Sequence, residues 1–275
     1  QSIQKAMKSV GYNYPLIKLK PGTYDKGSDG INRVLANQNY VTFTRSVEGA
    51  DKTTIRGDST MRCFNGGSRK GALQGVTLTG GSRASTAGCG WYGSSTFSFL
   101  DCVVTGNSVS GALTVDGRSI RCRIVGNTVT SGSLVSGGVH SGLEVGANTL
   151  SSGVPIFGAD SYLSQATVAG TSGATFGNNV TAINSIFVGS GAALEAVSVA
   201  SVGNIASGYS SVPAAGFTVV DPVLADVANG DLRPVAGSPA IGGGVAPAAD
   251  NYAADSKWYR YAGGATKGSK PFVVG

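Results

Sequence analysis

Val104-Thr105-Gly106-Asn107-Ser108 returns twenty residues later as Ile124-Val125-Gly126-Asn127-Thr128, and this repetition decides the fold. An earlier copy reads Leu78-Thr79-Gly80-Gly81-Ser82. Weaker echoes follow in Glu144-Val145-Gly146-Ala147-Asn148, Thr167-Val168-Ala169-Gly170-Thr171, Phe187-Val188-Gly189-Ser190 and Ser201-Val202-Gly203-Asn204. Each copy is a short β-branched strand running into a Gly or Gly-Asn bend. Gly and Asn tolerate positive φ, so each phrase marks a sharp turn after a strand. The first glycines of the clear copies, Gly80, Gly106, Gly126 and Gly146, stand roughly 20 to 26 residues apart, a solenoid period. A strand and a bend at that spacing, with no helical pattern between them, make one rung of a parallel β-helix. Strands near 76–78, 102–105, 122–125 and 143–145 are predicted to stack in register on one sheet, alternate residues facing core and solvent.

The 275 residues suffice for about ten such coils. Charged residues make up 13% of the chain, about half the usual share, and 43 residues are Gly. No apolar run is long enough to span a membrane as a helix. Residues 1–10 read as an amphipathic helix, with Ile3, Ala6, Met7 and Val10 on one face, suited to covering the open first coil. A helix cut at its start is the expectation for a chain whose natural N-terminus lies upstream or was removed. The predicted organisation is one domain over 1–275: a cap at 1–15, coils at 16–244, and a Tyr/Trp-containing tail at 245–275.

Charge is segregated along the chain. Residues 1–123 carry a net +9, residues 124–232 a net −6 with no Lys or Arg at all, and residues 233–275 a net +3. Cys102 and Cys122 hold the same place in successive repeats, so they are expected as neighbours in a buried column. Two readings stay open there: free thiols acting as small apolar residues, or a disulfide between coils. Asn107, Asn127, Asn148 and Asn204 recur near the bends, where stacked amides bond to one another and to backbone.

Three stretches resemble the right-handed parallel β-helix, or pectate-lyase-like, superfamily of the secreted bacterial type. The first is Ser2-Ile3-Gln4-Lys5-Ala6 with Leu16-Ile17-Lys18-Leu19-Lys20-Pro21-Gly22-Thr23-Tyr24, similar to the opening helix, strand and turn of those proteins. The second is the Cys-x-Val/Ile-x-Gly-Asn rung at 102–107 and 122–127. The third is Asp221-Pro222-Val223-Leu224 with Asn229-Gly230-Asp231-Leu232-Arg233-Pro234 and Gly237-Ser238-Pro239-Ala240-Ile241, similar to a closing motif. The resemblance implies a right-handed solenoid with a short N-terminal capping helix, secreted or displayed at a cell surface. It does not choose among lyases, hydrolases, tailspikes and adhesins, because one fold hosts many sites.

Two functions follow as expectations. The first is an extracellular or cell-surface module with a structural, adhesive or glycan-contacting role. The other is a polysaccharide lyase acting on an acidic glycan by β-elimination, which needs a cation to neutralise the uronate and a base to take the α-proton. Arg118, Arg121 and Arg123 form the best cationic cluster, with Arg121 and Arg123 read as sharing one side of a strand. Arg69, Lys70 and Arg83 would extend it as a glycan-binding patch, and Tyr92 or Asp101 would supply the base. Paired catalytic Asp residues and the acidic cluster that holds Ca²⁺ in pectate lyases are not visible, so no cofactor is expected, and Ca²⁺ stays open as an alternative without a motif. His140, the sole histidine, reads as incidental in a turn. Arg56-Gly57-Asp58 reads as a strand end and bend, and Asn179-Val180-Thr181 as a formal glycosylation sequon. Expected partners are an acidic polysaccharide or surface glycan, copies of the chain, or neighbouring domains. Nucleic acid is not expected: the Lys and Arg residues are scattered and match no known motif.

Overall fold

The computed structural model describes residues 16–25, 42–58, 62–66, 70–82, 90–93, 96–171, 175–189 and 200–245, with Ile3, Ala6, Lys70 and residues 193, 194, 197 and 198 among the isolated or flanking positions. These residues form an all-β parallel solenoid. The coils build an eight-stranded first sheet, a ten-stranded second sheet that runs two strands further and, in the middle of the rod, a six-stranded third sheet. One coil runs through Phe97–Leu100, Val103–Thr105 and Thr114–Val115. The next runs through Arg118–Ile120, Arg123–Val125 and Val135–Ser136. The expected stacking is present: Thr77–Thr79, Val103–Thr105, Arg123–Val125 and Glu144–Gly146 pair in parallel and in register on the second sheet.

Strand parity puts the central residue of each second-sheet strand inward. Leu78, Val104, Ile124, Val145 and Val168 form one column, each 0–1% exposed. Burying each such side chain stabilises the fold by about 1.5–3 kcal/mol. Phe64, Trp91, Phe97 and Phe99 fill the wider part of the lumen, Trp91 stacking on Phe99 with ring centroids 4.5 Å apart. At the start of the rod, Ile3 and Ala6 are helical. Ile3 is buried in the same core as Ile17 and Leu19, and Ala6 packs against it. The rest of 1–15 lies outside the described residues.

Every middle coil has a corner between the third and first sheets, at Asp116-Gly117, Gly137-Gly138 and Ala159-Asp160 in successive coils, and two further corners. Between the first and second sheets the chain turns on a single left-handed residue: Gly75, Asp101, Arg121, Gly142, Gln165 and Asn184 in successive coils, with φ from 49 to 65°. Their N–H groups bond to the following coil, as in Asp101 N to Ile120 O at 3.0 Å and Arg121 N to Ser141 O at 2.9 Å. The second corner holds the Gly-Asn phrase. Asn107 Nδ2 donates to Asn127 Oδ1 at 2.9 Å, and Asn127 Nδ2 donates to Asn148 Oδ1 at 3.0 Å. Cys63 Sγ caps one end on Asn107 Oδ1, and Thr171 Oγ1 accepts from Asn148 at the other. Asn204 does not join this ladder. It opens the strand Asn204–Ser207 rather than following one, and it accepts from Ser185 N at 2.9 Å in a different column.

That other column contains Cys102 and Cys122, fully buried free thiols whose Sγ atoms each donate to a carbonyl, Leu100 O and Phe99 O respectively, at 3.3 Å. Burial first, then the neighbouring Cys102 thiol, pushes the Cys122 thiol up. Cys89 lies outside the described residues.

The closing segment folds back along the rod. After Phe217–Val219 the chain forms an antiparallel hairpin, Leu224–Asp226 and Asp231–Pro234, around the 3₁₀ turn Val227–Asn229. The hairpin lies on the outer face of the second sheet, where Leu232 is 2% exposed. The residues beneath it are small for that reason: a Cβ on Gly146 would sit 3.1 Å from Leu232 Cδ1, and one on Gly170 would sit 2.8 Å from Val227 Cγ1. Gln1–Gly244 is one compact unit and Val245–Gly275 another. Of the second, only Val245 is described. No helix among the described residues is long and apolar enough to cross a membrane.

Candidate functional site

The three arginines of one coil do not share a strand face. Arg118 begins a first-sheet strand that ends at Ile120, Arg121 turns the corner, and Arg123 begins the second-sheet strand. The expectation that Arg121 and Arg123 point to one side of one strand is therefore corrected: period-2 parity is reset by the one-residue corner between them. The arginines follow one another around the outside of the coil.

Each of the last two is engaged within the protein. Arg121 Nε and Nη2 donate to Asp101 Oδ1 and Oδ2 at 2.7 and 2.9 Å, and Gln74 Nε2 adds a third bond to Asp101 at 3.0 Å. Burial works to raise the Asp101 pKa. The hydrogen bonds from Arg121 and Gln74 outweigh it, and the carboxyl is held below its usual range. Arg123 Nε donates to Glu144 at 2.8 Å, and its Nη2 reaches Gly230 O in the hairpin at 2.7 Å. Asp231 and Arg233, also on the hairpin, make a bidentate pair. The Arg233 bonds pull the exposed Asp231 carboxyl down to about 2, with Arg123 adding a smaller effect in the same direction. Asp231 and Glu144 in turn raise the Arg233 pKa. Sequence reasoning missed this flank cluster. Its signal was the cation-free stretch bounded by Arg123 and Arg233, whose ends the fold brings together.

Tyr92 lies on the third sheet two coils earlier, with the Arg62 guanidinium 4.3 Å from its ring centroid. Such a contact contributes about 0.5–1 kcal/mol at an exposed site. Lys70 is exposed beside the strand Gly71–Gln74. Arg69 and Arg83 lie outside the described residues. Among the described residues, no three His, Cys, Asp or Glu side chains gather as metal ligands do. An open cleft runs where Ala240 and Gly244 pass the corner residues Gln165 and Asn184.

His140 is not in a turn. It is the central residue of the first-sheet strand Val139–Ser141, fully buried, and faces the lumen because that strand is in register with Arg118–Ile120, whose central Ser119 also faces inward. Gly57 of the Arg-Gly-Asp tripeptide is buried, its N–H bonded to Thr79 O at 2.8 Å, so these residues belong to the stacked coil and not to a projecting loop. Asn179 is an exposed corner residue whose Nδ2 donates to Asp160 at 2.8 Å.

Comparison with protein-family models, with curated proteins and with solved structures finds no match to this chain.

Proposed function

We propose that this chain is an extracellular or cell-surface β-helix module with a structural, adhesive or glycan-contacting role, working as a packed unit against copies of itself or neighbouring domains. One observation supports the non-catalytic reading above all. Two of the three arginines and one of the two bases that a β-eliminating lyase would commit to a uronate are already engaged within the protein, Arg121 with Asp101 and Arg123 with Glu144 and Gly230 O. A lyase base works best with a pKa near the operating pH, and Asp101 is moved the opposite way. The basic first 123 residues favour an acidic polysaccharide as the contacted glycan, and the small uncharged residues of 124–232 favour close lateral packing.

The test is a panel of uronate-containing polysaccharides assayed for both binding and cleavage. Retention of an acidic glycan, weakened by salt and without ultraviolet-absorbing unsaturated ends, supports the module. Release of unsaturated ends, lost in Arg121→Ala, replaces it with a polysaccharide lyase. Light scattering at low and high ionic strength tests the packing: a monomer at every concentration removes self-assembly from the proposal.

A further inference from the structure

The inward positions of the first sheet place Ser119 and His140 next to each other in the lumen, both 0% exposed. His140 Nε2 lies 2.9 Å from Gly137 O, and Nδ1 lies 2.8 Å from Ser119 Oγ. A carbonyl only accepts, so Nε2 carries the proton and Nδ1 accepts from the Ser119 hydroxyl. The neutral ring is thereby fully satisfied, both of its nitrogens being paired inside the lumen.

We propose that His140 makes the corner of residues 136–140 an acid-opened joint: on protonation the imidazolium leaves the lumen, turning about Gly137 and Gly138, and pairs with the Asp116 carboxylate outside. Four observations carry this. The ring is held by its own corner, through Gly137 O, so its departure and the corner's opening are one motion. The corner is built of two consecutive left-handed glycines, with φ of 65 and 96°, a pair able to absorb a large backbone change. A Cβ on Gly137 would lie 3.1 Å from Asp116 Oδ1, so an exposed carboxylate waits against the solvent side of the hinge. Inside, among the described residues, no carboxylate faces the ring: Ser119 and Leu163 face it from the adjoining strands, and Phe157 lies 6.4 Å away, centroid to centroid. The remaining titratable or charged groups on these elements, Arg118 and Tyr162 on the outer face and Asp160 in the next corner, are on the far side of the wall.

Burial lowers the His140 pKa to about 4, the Gly137 bond opposing weakly. The unfolded or opened form takes up its proton near the ordinary value of 6.5, so between pH 6.5 and 4 it binds more protons than the closed form. Closure is then fully favoured above pH 6.5 and weakens as the pH falls toward 4.

His140 is the only histidine, so its ring gives a single titrating signal. Hydrogen exchange of the 130–142 segment, corrected for the intrinsic pH effect, is compared with that of 99–110 in wild type and in His140→Gln, whose amide keeps both hydrogen bonds without titrating. The expected result is a tenfold or greater relative loss of protection at 130–142 between pH 6.5 and 4.5 in wild type and none in the variant. Asp116→Asn should shift the wild-type opening to lower pH. Equal pH dependence in wild type and His140→Gln overturns the proposal. Should the variant fail to fold, the wild-type ring decides alone: titration near 6.5 with unchanged protection at 130–142 overturns it, and titration well below 6.5 together with loss of protection supports it.

Discussion

Asp101 and Arg121 occupy the same corner of adjacent coils, each in left-handed backbone, and are joined by two parallel hydrogen bonds of 2.7 and 2.9 Å. An arginine costs about 1–2 kcal/mol in that conformation relative to glycine, and an aspartate less. An exposed ion pair returns about 0–1 kcal/mol. The corner is therefore held by the stacked coils and their backbone ladder, with the ion pair as a lateral tie.

The two contributions separate by substitution. Arg121→Ala loses the pair and keeps the strained backbone. Arg121→Gly loses the pair and relieves it. Urea denaturation should find the glycine variant more stable than the alanine variant by about 1 kcal/mol. Equal stabilities would mean that the corner residue bears no left-handed cost.

Asn127 is the middle member of the amide ladder, 2% exposed. It accepts from Asn107 N and Nδ2 and donates to Asn148 Oδ1, Val104 O and Val125 O. Asn127→Ala strands several of these groups in a dry corner and should cost roughly 3 kcal/mol or more. Asn127→Asp should be comparably damaging, because a carboxylate cannot donate to the two carbonyls. Chemical denaturation of both variants measures this.

Cys122→Ser puts a more polar group in a column between Cys102 and Leu143, but Phe99 O and Ile120 O are within reach of a hydroxyl. The expected cost is about 1 kcal/mol, at the low end for a buried polar substitution. A loss of several kcal/mol in thermal unfolding would show that the hydroxyl finds neither carbonyl.

Gly146→Leu should lift the hairpin and leave the coils wound, since the added side chain meets Leu232 from outside the wall. Limited proteolysis should then cut within 224–234 much faster than in wild type, with little change in the main unfolding transition.

Much of the solenoid was legible in the residues. The phrase Val104-Thr105-Gly106-Asn107 carries strand, inward parity, left-handed bend and ladder amide in four letters, and its copies carry the stacking. The cation cluster was less legible, because Arg121 and Arg123 look like alternate residues of one strand until the corner at Arg121 is known, and a single left-handed arginine leaves no mark in a sequence. The setting of His140 could have been read from parity, since its strand aligns with Arg118–Ile120 and puts His140 over Ser119. The adjacent Gly137-Gly138 pulled the reading toward a turn instead. The place of the hairpin had no local signal at all: Leu232 and Gly146 are partners only through the winding of the chain.

That winding gives the hairpin a mechanical meaning. Most lateral bonds of the rod join residues about one coil apart, so coils can form and melt by propagation from a neighbour. The bond from Arg123 to Gly230 O spans 107 residues. It fastens the end of the described solenoid to its middle, so fraying from the last strand, Phe217–Val219, cannot pass the coils at Gly146 and Gly170 until the fastening is undone. The hairpin is a latch: it forms late, because its dock must be wound first, and under tension applied to the ends of the chain it yields before the coils it overlies.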